Sequence, residues 1–548
     1  MADQQQQQGK PENPEFSLGG PFGGIQSELP PQQIERLGFR DSMNMIYREG
    51  TVAVRPAMNP VNNVTFERIM DLQGEIKDLD WANLQAPVNE PFVTFADFFN
   101  SRGNRLQCAF TPSRFLVYNG KSWSGVDVTL TTNPSMKFAT AVVGQKLCFS
   151  QGVDKVQYWD GLTAAATTIA DAKPAKYLME LGNHLVAAAT LESGSIAYQR
   201  VRWTGAGDPT DWTSPNAGQT DLFNDLGPIN NVLKLFQGGY VFQQNGIVQM
   251  SLTGVGTQPF YFQPLSAKSK GLTCPRTLAA NGETYCAYVG RDNIYSFDGT
   301  TSTPIGDMPI GNRVRLGART RIFGDLMMYD PMQSMGFVSS TINGYPFNAY
   351  WLVIPKVAIW IFNFDEGSWS RWDVSQMATC INGFSTVAPV RIIDLIGSIA
   401  QQLWAPISLT NNNPYDSVAI GFADGSIGIF DFTGRSERPW FIKTGQLVYG
   451  DPRHSKTTTR TRLVYVDRGS ALVQFKMESG SGQVVVNTPI DTAGMALAGT
   501  SSGDVRTLMV NHKPLAGVYN TVTLSGEAGV PFELSELALT HTQGGEAR

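Results

Sequence analysis

Between about residue 90 and residue 450 the chain alternates apolar and polar positions in short runs, and one arrangement keeps returning. An alternating run, a turn, a second run ending in an aromatic residue and a polar turn containing glycine succeed one another. The copies are RLQCAFTPSRFLVYNG (105–120), GQKLCFSQGVDKVQYWDG (144–161), NHLVAAATLESGSIAYQRVRWTG (183–205), GGYVFQQNGIVQMSLTG (238–254), GETYCAYVGRDNIYSFDG (282–299), NAYWLVIPKVAIWIFNFDEG (348–367) and DSVAIGFADGSIGIFDFTG (416–434). Each is predicted to be a β-hairpin followed by a corner. Their closing turns lie about 40 to 50 residues apart for the first five and nearer about 65 for the last two, against the period of about 40 to 50 expected of a four-stranded propeller blade. Radial repetition also protects the strand edges that an antiparallel chain of this size would otherwise expose.

The pattern changes on either side of this region. Residues 1–35 are rich in Gln, Gly and Pro, which predicts a flexible arm that orders only on assembly. Residues 36–89 read as an extended segment with a turn at Glu49-Gly50 and a short alternating strand from Thr51 to Val54. Inside 374–416, Ile392, Leu395, Ile396, Ile399 and Leu403 fall at helical spacing, predicting an amphipathic helix on an inserted loop that covers its own blades or meets a neighbouring subunit. After residue 450 about six alternating strands with short turns predict a small β-sandwich. The expected fold is therefore all-β: a β-propeller at 90–450 of about seven blades, within a range of six to eight, with the 374–416 insertion. A β-sandwich at 451–548 and a flexible arm flank it.

Composition supports the β assignment and narrows the chemistry. Of 548 residues, 55 are Gly, 31 are Pro and 11% are aromatic, which suits strands broken by frequent turns. Charged residues make up only 16% and the net charge is −5, which excludes tight binding of nucleic acid by a basic surface. Cys108, Cys148, Cys274, Cys286 and Cys380 are scattered and free of any C-x-x-C spacing, so neither a disulfide framework nor a zinc site is expected. His184, His454, His512 and His541 likewise lack metal-ligand spacing, and no cofactor is expected. No secretory leader and no membrane-length apolar run stand out, so the expectation is a soluble protein made in a cytoplasm.

Candidate chemistry is sparse. Gly120-Lys121-Ser122 lacks the loop of a phosphate-binding P-loop. GTSSG (499–503) matches a nucleophile elbow around Ser501 only formally, because the adjoining DVRTLMV reads as a strand rather than the helix an elbow must open. NFDEGSW (363–369) approaches the Asp-box turn of sialidase propellers, with Trp369 one residue early, and Asp365 is expected to cap a turn. Arg313, Arg315, Arg319 and Arg321, at i, i+2 spacing in GNRVRLGARTRI, share a face if extended. Arg453, Arg460 and Arg462 form a second group with His454 and Lys456. Either group could touch phosphates through forked guanidinium donors or pair with acids of the same or a neighbouring subunit. In RVRWTGAGDPTDWTS (200–214) the turn formers Gly205, Gly207 and Pro209, with Asp208 and Asp211, predict a corner in which Trp203 and Trp212 are packing residues.

That stretch, together with GLTCPRTLAANGETYCAYVGRDNIYSFDGTTSTPIG (271–306), FRDSMNMIYREGTVAVRPAM (39–58) and the ending PFELSELALTHTQGGEAR, resembles the tail nozzle or packaged-DNA stabilisation proteins of short-tailed bacteriophages. The resemblance runs from about residue 37 onward and is diffuse; the Gln-rich arm and the insertion lie outside it. It implies a virion component, assembled in the host cytoplasm, whose six copies form a ring below the portal and its adaptor ring. Such a ring closes the filled head, retains the packaged DNA, touches double-stranded DNA transiently in its channel and adjoins tail fibres, spikes or tip proteins. The resemblance implies no catalytic residues and no membrane insertion. A mildly acidic chain suits that role, since each neutralised phosphate would deepen a salt-dependent well along the DNA's path. The alternatives are a carbohydrate- or protein-binding propeller for host adhesion and, further off, a propeller glycosidase.

Overall fold

Alternating runs of this kind pair most simply with their chain neighbours, and the central region does so. The computed structural model describes residues 15–20, 22–34, 38–60, 90–103, 105–118, 123–132, 137–236, 238–266, 268–310, 314–342, 345–374, 376–384, 417–431, 436, 438–448, 454–466, 472–479, 484–491 and 505–546. Among these the protein is all-β, with seven four-stranded antiparallel sheets following one another along the chain. The sheets begin with Thr94–Phe99, Ala139–Val143, Ala175–Leu181, Ile229–Leu235, Ala279–Asn281, Met335–Ile342 and Ala378–Phe384. The repeated hairpins supply the second and third strand of each, as in Arg105–Phe110 with Phe115–Tyr118 and Ser417–Phe422 with Ile427–Asp431.

Each sheet buries both faces, one against the sheet before it and one against the sheet after. Phe98, Phe110 and Phe115 of the first sheet pack with Phe138 and Phe149 of the second. Leu178 and Leu185 of the third sheet meet Val143 and Cys148 of the second, while Met179 and Val186 meet Val232 and Val241 of the fourth. Phe242 packs with Tyr288 and Phe297, Ile294 with Tyr350 and Trp360, and Trp351 and Trp372 with Ile420 and Phe430. Leu116 and Ala109 of the first sheet then pack with Ala419 and Ile427 of the seventh, so the contacts return to their start. The seventh sheet takes its outer strand from far away: Ala57–Pro60 pairs with Ile427–Asp431, Ala57 opposite Asp431 and Pro60 opposite Gly428.

Two further sheets draw on both ends of the chain. One runs in the order Met45–Arg48, Thr51–Val54, Glu533–Glu546, His454–Val466, Val505–Gly517, with Glu15–Gly19 also paired to Glu533–Glu546. The other runs Phe39–Met43, Trp440–Thr444, Asn520–Gly526, Leu472–Ser479, Val484–Asp491. They share one apolar cluster that includes Phe16, Leu18, Phe39, Tyr47, Trp440, Phe475 and Leu537.

Several expectations change. Residues 15–34 do not behave as an arm: Phe16, Leu18, Phe22 and Ile25 are buried, because EFSLG alternates apolar and polar residues in a stretch whose average composition hides them. The segment 36–89 is not one unit, since its described strands are shared among three sheets. The C-terminal sheets begin with Trp440–Thr444, before residue 451. The insertion begins later than residue 374, because Ala378–Phe384 opens the seventh sheet; the helix expected around Ile392 to Leu403 lies outside the described residues, as do Lys121 and Ser501. Arg319 and Arg321 are helical rather than extended. Ile322, Asp325 and Leu326 supply a buried face at helical spacing in Arg319–Met327, and this 3.6-residue period prevails over the alternation of the arginines.

Candidate functional site

The corner at 200–214 is held together by its own carboxylates. The Asp208 carboxylate accepts from the Thr210 amide at 3.0 Å and hydroxyl at 2.8 Å, and that of Asp211 accepts from the Ser214 amide at 3.0 Å. Backbone donation from Thr210 first, then Lys146 at 3.5 Å among other contacts, keeps Asp208 below the usual carboxylate range; Ser214 does the same for Asp211. Gly207 has φ +84° and donates to the Asn183 carbonyl at 2.7 Å, a left-handed geometry that favours glycine. Trp203 packs toward the fourth sheet and gives its indole N–H to the Asn216 carbonyl at 3.1 Å, whereas Trp212 packs toward the second. The two tryptophans thus pin opposite faces of the third sheet. Asp160, Asp298 and Asp424 cap comparable turns by accepting backbone amides. At 363–369 the turn cap is Asn363, whose side-chain oxygen accepts from the Asp365 amide at 3.0 Å; Asp365, the residue expected to cap, is the donor there.

The arginines are dispersed among internal acids. Arg319 reaches buried Asp307 at 3.2 Å, and Arg321 pairs with Asp41. Glu28 accepts from the Thr320 amide and hydroxyl, so an N-terminal carboxylate caps the first turn of this helix, as the helix dipole favours. Arg462 bridges Glu15 at 2.9 Å and Glu536 at 3.0 Å, tying the N-terminal strand to the C-terminal one. Arg460 is exposed in the same strand. Arg315 lies in the strand Val314–Gly317, while Arg313 and Arg453 fall outside the described residues.

The first strands of the seven sheets, or the turns leading into them, converge on a cavity of about 570 Å³ that the sequence reasoning missed. Phe95, Phe138, Tyr177, Asn231, Leu278, Met335 and Ile381 line it, one from each sheet in turn. Lys137, Lys176 and Arg276 are the charged residues of this lining. Lys137 keeps some surface open to the cavity but is otherwise enclosed by protein, with its amine 3.0 Å from the Met335 sulfur. Burial, then the like charge of Arg276, pushes that amine down to about 7. Arg276 donates to the Gln333 side-chain oxygen at 2.6 Å, and burial lowers it to about 10 against the pull of Tyr177 and Asp330. Lys176 lies 5.2 Å from the Tyr198 ring centroid, a cation–π contact. Burial raises Tyr177 and Cys380, both to about 12. A signal for this site was present: PSMKFAT, PAKYLM and CPRTL each place a cation at the entry to a first strand, where a radial repeat faces its axis.

All five cysteines are free and buried, and burial raises every one of the five thiols out of the nucleophilic range, Cys148 to about 12 and Cys274 to about 11 among them. Among the described residues no cluster of three His, Cys, Asp or Glu side chains could hold a metal ion, and no helix is long and apolar enough to cross a membrane.

Neither a protein-family model nor a curated protein matches the chain. Among solved structures it is similar to BamB from Moraxella catarrhalis, at 9% identity and a TM-score of 0.35, over 72% of this chain and 96% of that one. It is also similar to the extracellular domain of a protein described as a one-component system from B. thetaiotaomicron, at 9% identity and a TM-score of 0.38. There the match covers 78% of this chain and about half, 48%, of the other.

Proposed function

We propose that this chain is a non-catalytic ring subunit of a short-tailed phage tail nozzle, built as a seven-bladed β-propeller with a C-terminal β-sandwich. The sequence resemblance motivates the nozzle, and an exposed apolar groove on the third sheet carries the ring. Tyr198 and Phe223 stand 51% and 88% exposed, and with Ala197 and Pro228 they line a groove of about 580 Å³ bordered by the Arg200–Asp221 ion pair at 2.7 Å. Large aromatic groups left in water beside a fixed charge pair suit a contact with another copy of the chain. At the corners described above, Asp160, Asp208, Asp211, Asp298 and Asp424 serve as turn caps.

In this reading six copies enclose a channel below the portal and its adaptor ring in the virion tail, next to fibres, spikes or tip proteins. The DNA that passes makes only transient contacts, for which exposed Arg460 and the undescribed Arg313 and Arg453 are the arginines to examine. The test is the assembly state of the purified chain by mass photometry and electron microscopy, alone and with Phe223→Asp. A sixfold ring that the substitution dissociates into folded monomers is the expected result. A wild-type monomer that hydrolyses or binds a glycan overturns the proposal.

A further inference from the structure

We propose that the cavity on the axis of the seven sheets admits a small aromatic aldehyde and that Lys137 holds it there as an imine. An amine becomes a nucleophile toward carbonyls when it is withdrawn from water and set beside another cation, because both conditions favour its neutral form. Lys137 meets both. It leads directly into the first strand of the second sheet and lines the cavity together with Phe95, Phe138 and Ile381. Its amine donates to the Met335 sulfur at 3.0 Å, and a thioether is a weak acceptor that does little to hold the ammonium form. Arg276, on the short helical turn Pro275–Thr277, lines the same cavity, and its like charge acts on that amine. The other titratable groups among the described residues of the lining are Lys176 and Tyr177 of the third sheet and Cys380 of the seventh. Burial keeps the phenol and the thiol protonated near pH 7. With the Lys137 amine brought down to about 7, about half of it is neutral at that pH, against roughly one in two thousand for an ordinary lysine.

The step balances without a further reagent. The Lys137 Nζ lone pair bonds to the carbonyl carbon, the two amine protons pass to the carbonyl oxygen, and that oxygen leaves as water while C=N replaces C=O. The walls select the body of the aldehyde: Phe95, Phe138 and Tyr177 offer aromatic surface, and Leu278, Met335 and Ile381 offer aliphatic or thioether surface. A cavity of about 570 Å³ is within the range of small-molecule sites, and Lys137 keeps some of its surface open. All of these groups belong to one chain, so the site is complete in a monomer whatever ring the chain forms.

The probe is benzaldehyde with sodium cyanoborohydride, which reduces an imine to a stable benzylamine. It is applied to the full folded chain at pH 7 and at pH 9, and the products are followed by intact mass and peptide mapping. At pH 7 Lys137 should gain its benzyl group at least about tenfold faster than the exposed Lys155 and Lys173. That preference should narrow at pH 9, because the neutral fraction of Lys137 is already near its ceiling at pH 7 whereas that of an ordinary lysine still grows. Unfolding the chain in guanidinium chloride should abolish the preference, since it removes both the enclosure and the neighbouring charge. Lys137 reacting no faster than Lys155 and Lys173 in the folded chain at pH 7 overturns the proposal. So does a preference that survives unfolding, or one as large at pH 9 as at pH 7.

Discussion

The ring of seven sheets and the C-terminal pair of sheets are built from the same kind of strand by opposite routes. In the ring, six sheets are complete within consecutive stretches of chain, and a hairpin pairs residues only a few positions apart, as where Val143 faces Lys146. In the C-terminal pair, Glu15–Gly19 lies against residues 536–540, and Phe39–Met43 lies against Trp440–Thr444. Local pairing loses little loop entropy, whereas the second route must close most of the chain before any apolar surface is buried. The C-terminal sheets therefore complete the fold only when both ends of the chain are present, and the N-terminal segment is the seam between the two bodies. Along that seam the Trp372 indole donates to the Met45 carbonyl at 2.7 Å, Asn363 donates to the Tyr47 carbonyl at 3.1 Å, and Arg371 meets buried Asp325 at 2.8 Å beneath them.

The largest expected effect comes from cutting the seam. Deleting residues 15–54 keeps the outer strand Ala57–Pro60 but removes Phe16, Leu18, Phe39, Met45, Tyr47 and Val52 from the shared cluster. Hydrogen exchange should then show loss of protection in the strands His454–Val466, Leu472–Ser479, Asn520–Gly526 and Glu533–Glu546, with the second to fourth sheets still protected. Uniform loss across the chain would erase the contrast between local and non-local construction.

A substitution inside the ring should be next. Trp351 is fully buried between the sixth and seventh sheets, against Trp372 and Phe430 at centroid distances of 5.2 Å each. Trp351→Ala should cost about 3–5 kcal/mol in chemical denaturation. Its effect on exchange should centre on those two sheets and leave the C-terminal cluster protected until global unfolding.

The corner comes third. Trp212 is buried against the second sheet with an indole N–H that has no hydrogen-bond partner among the described residues, so its contribution is packing alone. Trp212→Ala should destabilise by about 3 kcal/mol, the low end for an aromatic deletion, because no hydrogen bond is lost with it. Trp203→Ala should cost more, since the Asn216 carbonyl would lose its donor. Denaturant midpoints of the two variants decide this.

The smallest effect has the opposite sign. The Lys137 amine is depressed to about 7 in the folded chain, so between about pH 7 and the ordinary lysine range the unfolded chain binds more protons. Stability from this group therefore rises with pH across that window, and the penalty is complete below pH 7. Lys137→Met should raise the Tm most at pH 6 and by progressively less toward pH 10, in the absence of any added anion. A gain independent of pH would show that the amine is not enclosed as described.

The hairpins and the corner were legible because their determinants lie within a few residues of each other. Alternation specifies which face of a strand is apolar, and Gly207, Pro209 and Asp208 carry their own turn geometry. The helix at Arg319–Met327 was missed: Ile322 and Leu326 carried its period, but the more conspicuous arginine alternation pointed to an extended run. The strand EFSLG, which buries Phe16 and Leu18, was overlooked because five residues contribute little to the composition of a Gln-rich stretch. The cavity was the hardest to read: Lys137, Lys176 and Arg276 are spread over 140 residues of sequence and meet only because the radial repeat turns every first strand toward one axis.

By itself, then, the sequence determined the β class, the sevenfold repeat of hairpins and the structural use of the corner carboxylates, all set by interactions of short range. Only the tertiary structure decided that a strand from residues 57–60 completes the seventh sheet, that residues 15–54 are shared with the C-terminal sheets, and that three cations face one cavity. The physical reason is that a strand's free edge accepts any partner of matching register and apolar face, and which partner arrives depends on the packing of the whole chain.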